Sequence, residues 1–155
     1  YCIEQMKAAV IYPPSGLHIL LYGRKGSGKR YLCHLLYEYL VNKNLFDKNS
    51  KIIQIRVKNL SKSFYDILEE EGFKKNCFSG LVFVQDIENM DPICSEQFLD
   101  FLNEVSRNKS DLPIRVIASM NVDTLDSISD ALKYSLPIKC HVPSYLERNK
   151  EEKED

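Results

Sequence analysis

The sequence lacks an excess of charge of either sign. Its 21 Lys and Arg residues are balanced by 22 Asp and Glu residues, which gives a formal net charge of −1 at pH 7. The basic residues are not gathered on one predicted element, so nothing indicates a nucleic-acid-binding surface. No apolar run reaches the roughly 18 residues of a membrane-spanning helix, and no signal peptide is recognisable. We therefore expect a cytoplasmic protein that contacts no membrane.

The cysteines and histidines lack the spacing of a metal site. Five cysteines, at positions 2, 33, 77, 94 and 140, form no C-x-x-C pair. They indicate reduced and mostly buried thiols, as in cytosolic proteins. The three histidines, at 18, 34 and 141, also lack metal-ligand spacing, and His34 is expected on the flank of a helix. No metal ligand is predicted from either residue type.

One glycine-rich turn, Gly23-Arg-Lys-Gly-Ser-Gly-Lys-Arg30, stands out in the chain. The apolar run 17–22 before it predicts a buried strand, and the residues after it carry the apolar spacing of a helix. This context fits the Walker A pattern, in which backbone N–H groups and a lysine cradle phosphates. The candidate nucleotide-binding residues are Gly23, Arg24, Lys25, Gly26, Ser27, Gly28, Lys29 and Arg30. The alternative is a glycine-rich turn without a ligand.

The last position of the pattern departs from it. Arg30 stands where a Ser or Thr hydroxyl would hold magnesium, whereas Lys29 is in place to reach the β and γ phosphates. The sequence therefore predicts ATP or ADP as the ligand and leaves the binding of magnesium in doubt.

The rest of the chain alternates strands with helices. Strands are predicted at 17–22, 52–57, 81–84, 114–118 and 137–142, and helices at 2–9, from the glycine-rich turn to about Val41, from Ser63 to near Gly72, from Asp91 onward, and at 124–132. This alternation predicts a parallel five-stranded sheet with helices on both faces, a three-layer α/β/α P-loop fold. We expect residues 1–146 to form this core and residues 147–155 to form a charged C-terminal tail.

Polar residues follow two of the predicted strands, at the edge where such sheets bind ligands. Gln85 and Asp86 end one strand and Asn121 ends another, so both should converge on the glycine-rich turn. Asp86 is either a catalytic carboxylate or a cap for its loop. Asn121 either contacts a phosphate or serves as a turn residue. Gln85 is interpreted as a hydrogen-bonding residue rather than a ligand.

Four blocks resemble the AAA+ domain of LevR-type transcriptional activators, which are phosphotransferase-regulated relatives of the sigma-54-dependent activators. These blocks are 8–18 with the glycine-rich turn, Gly80–Ile87, Pro113–Asn121 and Leu136–Arg148, in the same order as in the family. The resemblance implies an AAA+ core whose helical lid is absent from this stretch. It also implies that Asn121 is the sensor I residue and that Gln85 and Asp86 occupy the Walker B positions, where the family has Asp and Glu.

The departures from the family are as informative as the matches. The segment from Glu69 to Ser79 is too short for the loop that touches the sigma factor in the family. The segment 130–136, where the arginine fingers would lie, offers only Lys133. The resemblance thus favours a degenerate domain that binds ATP, ADP or phosphate with little or no hydrolysis. Two alternatives stay open: an active ATPase that remodels sigma-54 polymerase, and an ATPase of the clamp-loader or replication-initiator kind.

The expected partners follow from the same resemblance. They are the other domains of a parent regulator, RNA polymerase containing sigma-54, or further copies of the chain, without direct contact to nucleic acid. The chain begins with Tyr1 rather than Met, and we expect it to be a piece of a larger protein.

Overall fold

The computed structural model of the chain describes residues 2–10, 18–26, 28–46, 50–57, 63–73, 78–107, 114–122, 125, 126 and 128–143. The strands are β1 (Ile19–Tyr22), β2 (Lys51–Arg56), β3 (Gly80–Gln85), β4 (Ile114–Met120) and β5 (Ile138–His141). The helices are α1 (Cys2–Val10), α2 (Lys29–Asn42), α3 (Phe64–Glu70), α4 (Pro92–Ser106) and α5 (Asp130–Ser135), and a 3₁₀ turn covers Ile87–Asn89. Within these residues no helix is both long and apolar enough to cross a bilayer.

The five strands form one parallel sheet in the order β2-β3-β4-β1-β5. Because alternate residues of a strand point to opposite faces, β3 contributes Val82 and Val84 to one core and Leu81 and Phe83 to the other. The first core is closed by α3, α4 and α5, and the second by α1 and α2. The predicted three-layer α/β/α fold with a parallel five-stranded sheet is therefore confirmed.

The helix starts follow local side-chain chemistry. Ser63 Oγ accepts a hydrogen bond from the Asp66 backbone N–H at 3.2 Å, and Asp91 Oδ1 accepts one from Cys94 N–H at 2.7 Å. Such caps satisfy N–H groups that have no partner within the helix. The inner stripe of α4 is buried, as predicted, and consists of Cys94, Phe98, Phe101, Leu102 and Val105.

The predicted start of the helix at 124–132 is wrong. The helix begins at Asp130, because Ser129 Oγ accepts a hydrogen bond from Leu132 N–H at 3.3 Å and caps it there. Residues 125, 126 and 128, the described positions before this cap, are not helical. The predicted tail 147–155 lies outside the described residues, and the boundary at residue 146 stays a prediction.

Gly80 is required where β3 runs beside the edge strand β2. Gly80 opens β3 with φ +140°, and a Cβ added there would overlap the backbone carbonyl oxygen of Lys51. Lys51 is its partner in the β2–β3 register. The close approach of these two backbones therefore depends on the absence of a side chain at residue 80.

His18 is a buried polar residue just before β1. Its Nε2 lies 3.1 Å from the Leu102 carbonyl oxygen and 2.9 Å from Ser106 Oγ. Burial lowers the pKa of His18; the hydrogen bond to Leu102 opposes this effect, and the nearby Arg115 adds to it. The imidazole is therefore held neutral in the folded chain under conditions where the unfolded chain takes up a proton.

We expect the free energy of unfolding to fall as the pH is lowered below about 6.5, the ordinary pKa of histidine. Below this pH the unfolded state binds a proton that the folded state excludes. The contribution of neutral His18 to the free energy of unfolding is therefore fully present above this pH and is lost below it. One such group contributes a slope of at most ~1.4 kcal/mol per pH unit.

Urea unfolding between pH 7.5 and 5.5 measures this slope, and His18→Gln should flatten it even if the variant is less stable at neutral pH. An unchanged slope in His18→Gln would show that another group controls the pH dependence.

Candidate functional site

A cavity of about 610 Å³ opens at the carboxyl edge of the sheet, beside the start of α2. Its lining residues come from the glycine-rich turn, from α2 and from the ends of β2, β3 and β4: Lys25, Gly26, Gly28, Lys29, Arg30, Tyr31, His34, Arg56, Phe83, Gln85, Asp86, Ser119 and Asn121. The three sequence segments expected to converge here do so. Of the candidate binding residues, Gly23 and Arg24 do not line the cavity, and Ser27 lies outside the described residues.

The glycine-rich turn has the backbone conformation that its glycines permit. Gly26 and Gly28 have φ angles of +85° and +91°, a region in which residues with a Cβ are strained. Gly28 is the residue before α2, and its carbonyl accepts the first helical hydrogen bond, from Leu32 N–H at 3.0 Å. The N-terminus of α2, which carries partial positive charge, therefore faces the cavity.

Lys29 is the first residue of α2, and only 7% of it is exposed. Its Nζ donates to the carbonyl oxygens of Gly23 at 2.8 Å and Arg24 at 3.0 Å. Gly23 and Arg24, which do not line the cavity, therefore hold the ammonium group of Lys29, a residue that does line it.

Four polar side chains form a network on the opposite wall. Asn121 Nδ2 donates to Asp86 Oδ1 at 2.6 Å. Arg56 Nε donates to Gln85 Oε1 at 3.2 Å and lies 3.6 Å from Asp86 Oδ2. Both oxygens of the one carboxylate among the described lining residues are thus engaged. Asp86 is the N-cap residue of the turn that follows, and its backbone carbonyl rather than its side chain accepts a hydrogen bond there, from Asn89 N–H at 3.0 Å.

The backbone beneath this network is strained. Asp86 has a φ angle of +64°, which is uncommon for a residue other than glycine and tends to occur at functional positions. Glu88 fixes the neighbouring turn, because its Oε1 accepts a hydrogen bond from Asn121 N–H at 3.3 Å. Its Oε2 is buried without a described hydrogen-bond partner, but Glu88 does not line the cavity.

Several lining residues were not predicted from the sequence. Arg56 is the most consequential, and its position at the end of a predicted strand was the available signal. His34 was placed correctly on a flank of α2; its Nε2 accepts a hydrogen bond from Gln54 Nε2 at 3.1 Å, and it also faces the cavity. Lys133, which lies in the segment of the family's arginine fingers, instead pairs with Asp130 at 3.7 Å.

Comparison with known proteins agrees with this geometry. Transcriptional regulatory protein LevR of Bacillus subtilis (strain 168) is 25% identical over 176 residues, covering 99% of this chain and 19% of LevR. The Thermotoga maritima RuvB Holliday junction branch migration motor superposes with a TM-score of 0.64 at 16% identity, over 90% of this chain and 42% of RuvB. No family model matches the chain.

The chain has the AAA+ fold and is LevR-like in sequence. A Thermotoga maritima DNA polymerase III gamma subunit-related protein shares the fold, with a TM-score of 0.64 and 20% identity over 99% of this chain and 50% of that protein. The resemblance and the fold predicted from the sequence are both confirmed. The chain spans about a fifth of LevR and about half or less of these two structures.

The lining of this AAA+ cavity does not fit the magnesium ion that the fold implies. Magnesium prefers oxygen ligands, commonly one or two carboxylates together with substrate phosphates. Here Arg30 replaces the hydroxyl, Gln85 is neutral and already accepts from Arg56, and Asp86 is engaged by Asn121 and Arg56. Among the described residues, no group of three or more His, Cys, Asp or Glu is placed to hold a metal ion.

Proposed function

We propose that this AAA+ domain binds the phosphates of ATP or ADP, with little or no hydrolysis, as one module of a cytoplasmic transcriptional regulator. The observation that carries the proposal is the placement of Lys29. This buried residue lines a cavity large enough for a nucleotide, where a turn with glycines of positive φ meets the N-terminus of α2. Candidate contacts for the nucleotide are the backbone N–H groups of residues 26–30 and the Lys29 ammonium.

We propose a low rate of hydrolysis because of the contacts that Asp86 makes within the polar network. Asp86 and Asn121 stand at the positions that resemble Walker B and sensor I, but the carboxylate already contacts Asn121 and Arg56, and no second carboxylate occurs among the described lining residues. Phosphoryl transfer depends on metal ions and positioned charge to stabilise the transition state. The arrangement therefore supports retention of a nucleotide better than its turnover.

The partners we propose are the other domains of the parent regulator. The similarity to LevR supports this, because the chain matches only 19% of a much longer protein. We do not extend the proposal to remodelling of sigma-54 polymerase. The segment from Glu69 to Ser79 is shorter than the sigma-contact loop that the resemblance implies, and residues 74–77 within it lie outside the described part of the chain.

We expect Lys29→Ala to weaken the binding of ADP by about tenfold or more, because it removes a charge-assisted contact to the phosphates. Isothermal titration calorimetry of the wild type and the variant measures the change. Lys43→Ala is the matched control, since Lys43 is exposed and lies at the other end of α2. A wild type that binds neither ATP nor ADP at millimolar concentration would contradict the proposed function.

A further inference from the structure

We propose that the cavity binds the nucleotide without a divalent cation, and that the Arg56 guanidinium supplies positive charge that magnesium would otherwise provide. This inference rests on the proposed function and concerns the same cavity. The lining residues do not fit a magnesium site, and Arg56 lies outside the sequence motifs.

The fold places Arg56 beside the Walker B positions. Arg56 ends β2, and its partner in the β2–β3 register is Gln85. Side chains of directly paired residues lie on the same face of a sheet, close enough to interact. This pairing explains why Arg56 Nε reaches Gln85 Oε1 at 3.2 Å and lies 3.6 Å from Asp86 Oδ2. The cation is thus fixed by backbone register as well as by its side-chain contacts.

The outer edge of the Arg56 guanidinium is not used by any residue that the structure describes. Both contacts given above use Nε, and the described residues provide no partner for the two Nη groups. The side chain is 54% exposed and lines the cavity. A guanidinium can donate two parallel hydrogen bonds to phosphate oxygens in a fixed geometry. Arg56 can therefore hold Gln85 and Asp86 through Nε while its outer edge contacts a phosphate.

The charge balance of the lining favours a polyanion over a cation. Four described lining residues carry positive charge (Lys25, Lys29, Arg30 and Arg56), whereas Asp86 alone carries negative charge. A magnesium ion bound to Asp86 would share the carboxylate with the Asn121 amide at 2.6 Å and would lie close to the like charge of the Arg56 guanidinium, 3.6 Å from the carboxylate. The phosphates of ADP or ATP are instead attracted by the four cations.

The test compares ADP binding by calorimetry in buffer containing magnesium chloride and in buffer containing excess EDTA. We expect the two dissociation constants to agree within about threefold. Arg56→Gln should weaken metal-free binding by about tenfold or more, and Arg56→Lys should weaken it less because the charge remains. Arg107→Gln is the matched control, since Arg107 is exposed and follows the last turn of α4. Circular dichroism verifies that each variant is folded.

The possible outcomes separate this inference from the proposed function. Binding that requires magnesium would overturn the inference and leave the proposed function intact. Metal-free binding that is unchanged in Arg56→Gln would overturn the role of Arg56. Binding in neither buffer would contradict the proposed function, and the inference would fail with it.

Discussion

The wild-type chain is expected to release no phosphate from ATP above the background measured with Lys29→Ala. Enzymes commonly turn over at about 1–10³ per second, and we expect a rate below that range by a factor of more than ~100. Two features of the cavity produce this effect together. Asp86 is one methylene shorter than the Glu of the family, and a misplacement of about 1 Å can reduce a rate by ~100-fold. Its two oxygens also already contact Asn121 and Arg56.

We expect the poor fit of the lining residues to magnesium to lower the rate further. Without magnesium, the charge that develops on the transferred phosphoryl group is stabilised only by the fixed cations of the cavity. A steady-state phosphate-release assay with magnesium present measures the rate. Turnover of about 1 per second or faster that disappears in Lys29→Ala would show that the domain is a working ATPase.

Gly80→Ala is expected to lower the free energy of unfolding by more than ~3 kcal/mol. The added Cβ would overlap the carbonyl oxygen of Lys51 and approach its amide nitrogen at 2.7 Å, so the backbones of β2 and β3 would have to separate. A φ angle of +140° also disfavours a residue with a side chain. Both effects act at the first residue pair of the β2–β3 ladder, which is built of backbone hydrogen bonds.

Gly72→Ala separates the two contributions. Gly72 also has a positive φ angle, +98°, but a Cβ there would meet no atom within 4 Å. Its substitution should cost only about 1–2 kcal/mol, the strain of a left-handed conformation. Urea unfolding followed by circular dichroism compares the variants. Equal losses in both would show that contact with Lys51 is unimportant, whereas a Gly80→Ala chain that cannot be recovered folded would agree with the prediction.

The elements that the sequence predicted are those with a local signal. Apolar runs or alternation of apolar and polar residues mark the strands, and the spacing of the apolar residues in α4 marks its buried stripe, because burial on a sheet imposes a period on the sequence. The turn before α2 was predicted from Gly23, Gly28 and Lys29. Its residue types match a backbone conformation that few others adopt.

The features that could not be predicted from the sequence depend on contacts between segments that are far apart in the chain. Arg56 ends an alternating strand, and only the register between β2 and β3 shows that it reaches Gln85 and Asp86. The left-handed conformation of Asp86 and its bond to Asn121 also belong to the assembled sheet. The start of α5 was misplaced for a different reason. The apolar residues before Ser129 favour an earlier helix start, whereas Ser129 itself favours a cap at that position. The local sequence pattern does not decide between these two signals.

The strand order has a consequence for how the chain is made. β1 lies between β4 and β5, so Ile19 pairs with Ile117 and Ile138, which are synthesised much later. Pairings between segments so far apart in sequence form slowly, since a long loop must close before the contact stabilises it. While a nascent chain ends before residue 114, β1 has neither of its native neighbours. The strand that leads into the glycine-rich turn is therefore among the last to be incorporated, and the proposed binding of a nucleotide would stabilise only the nearly complete domain.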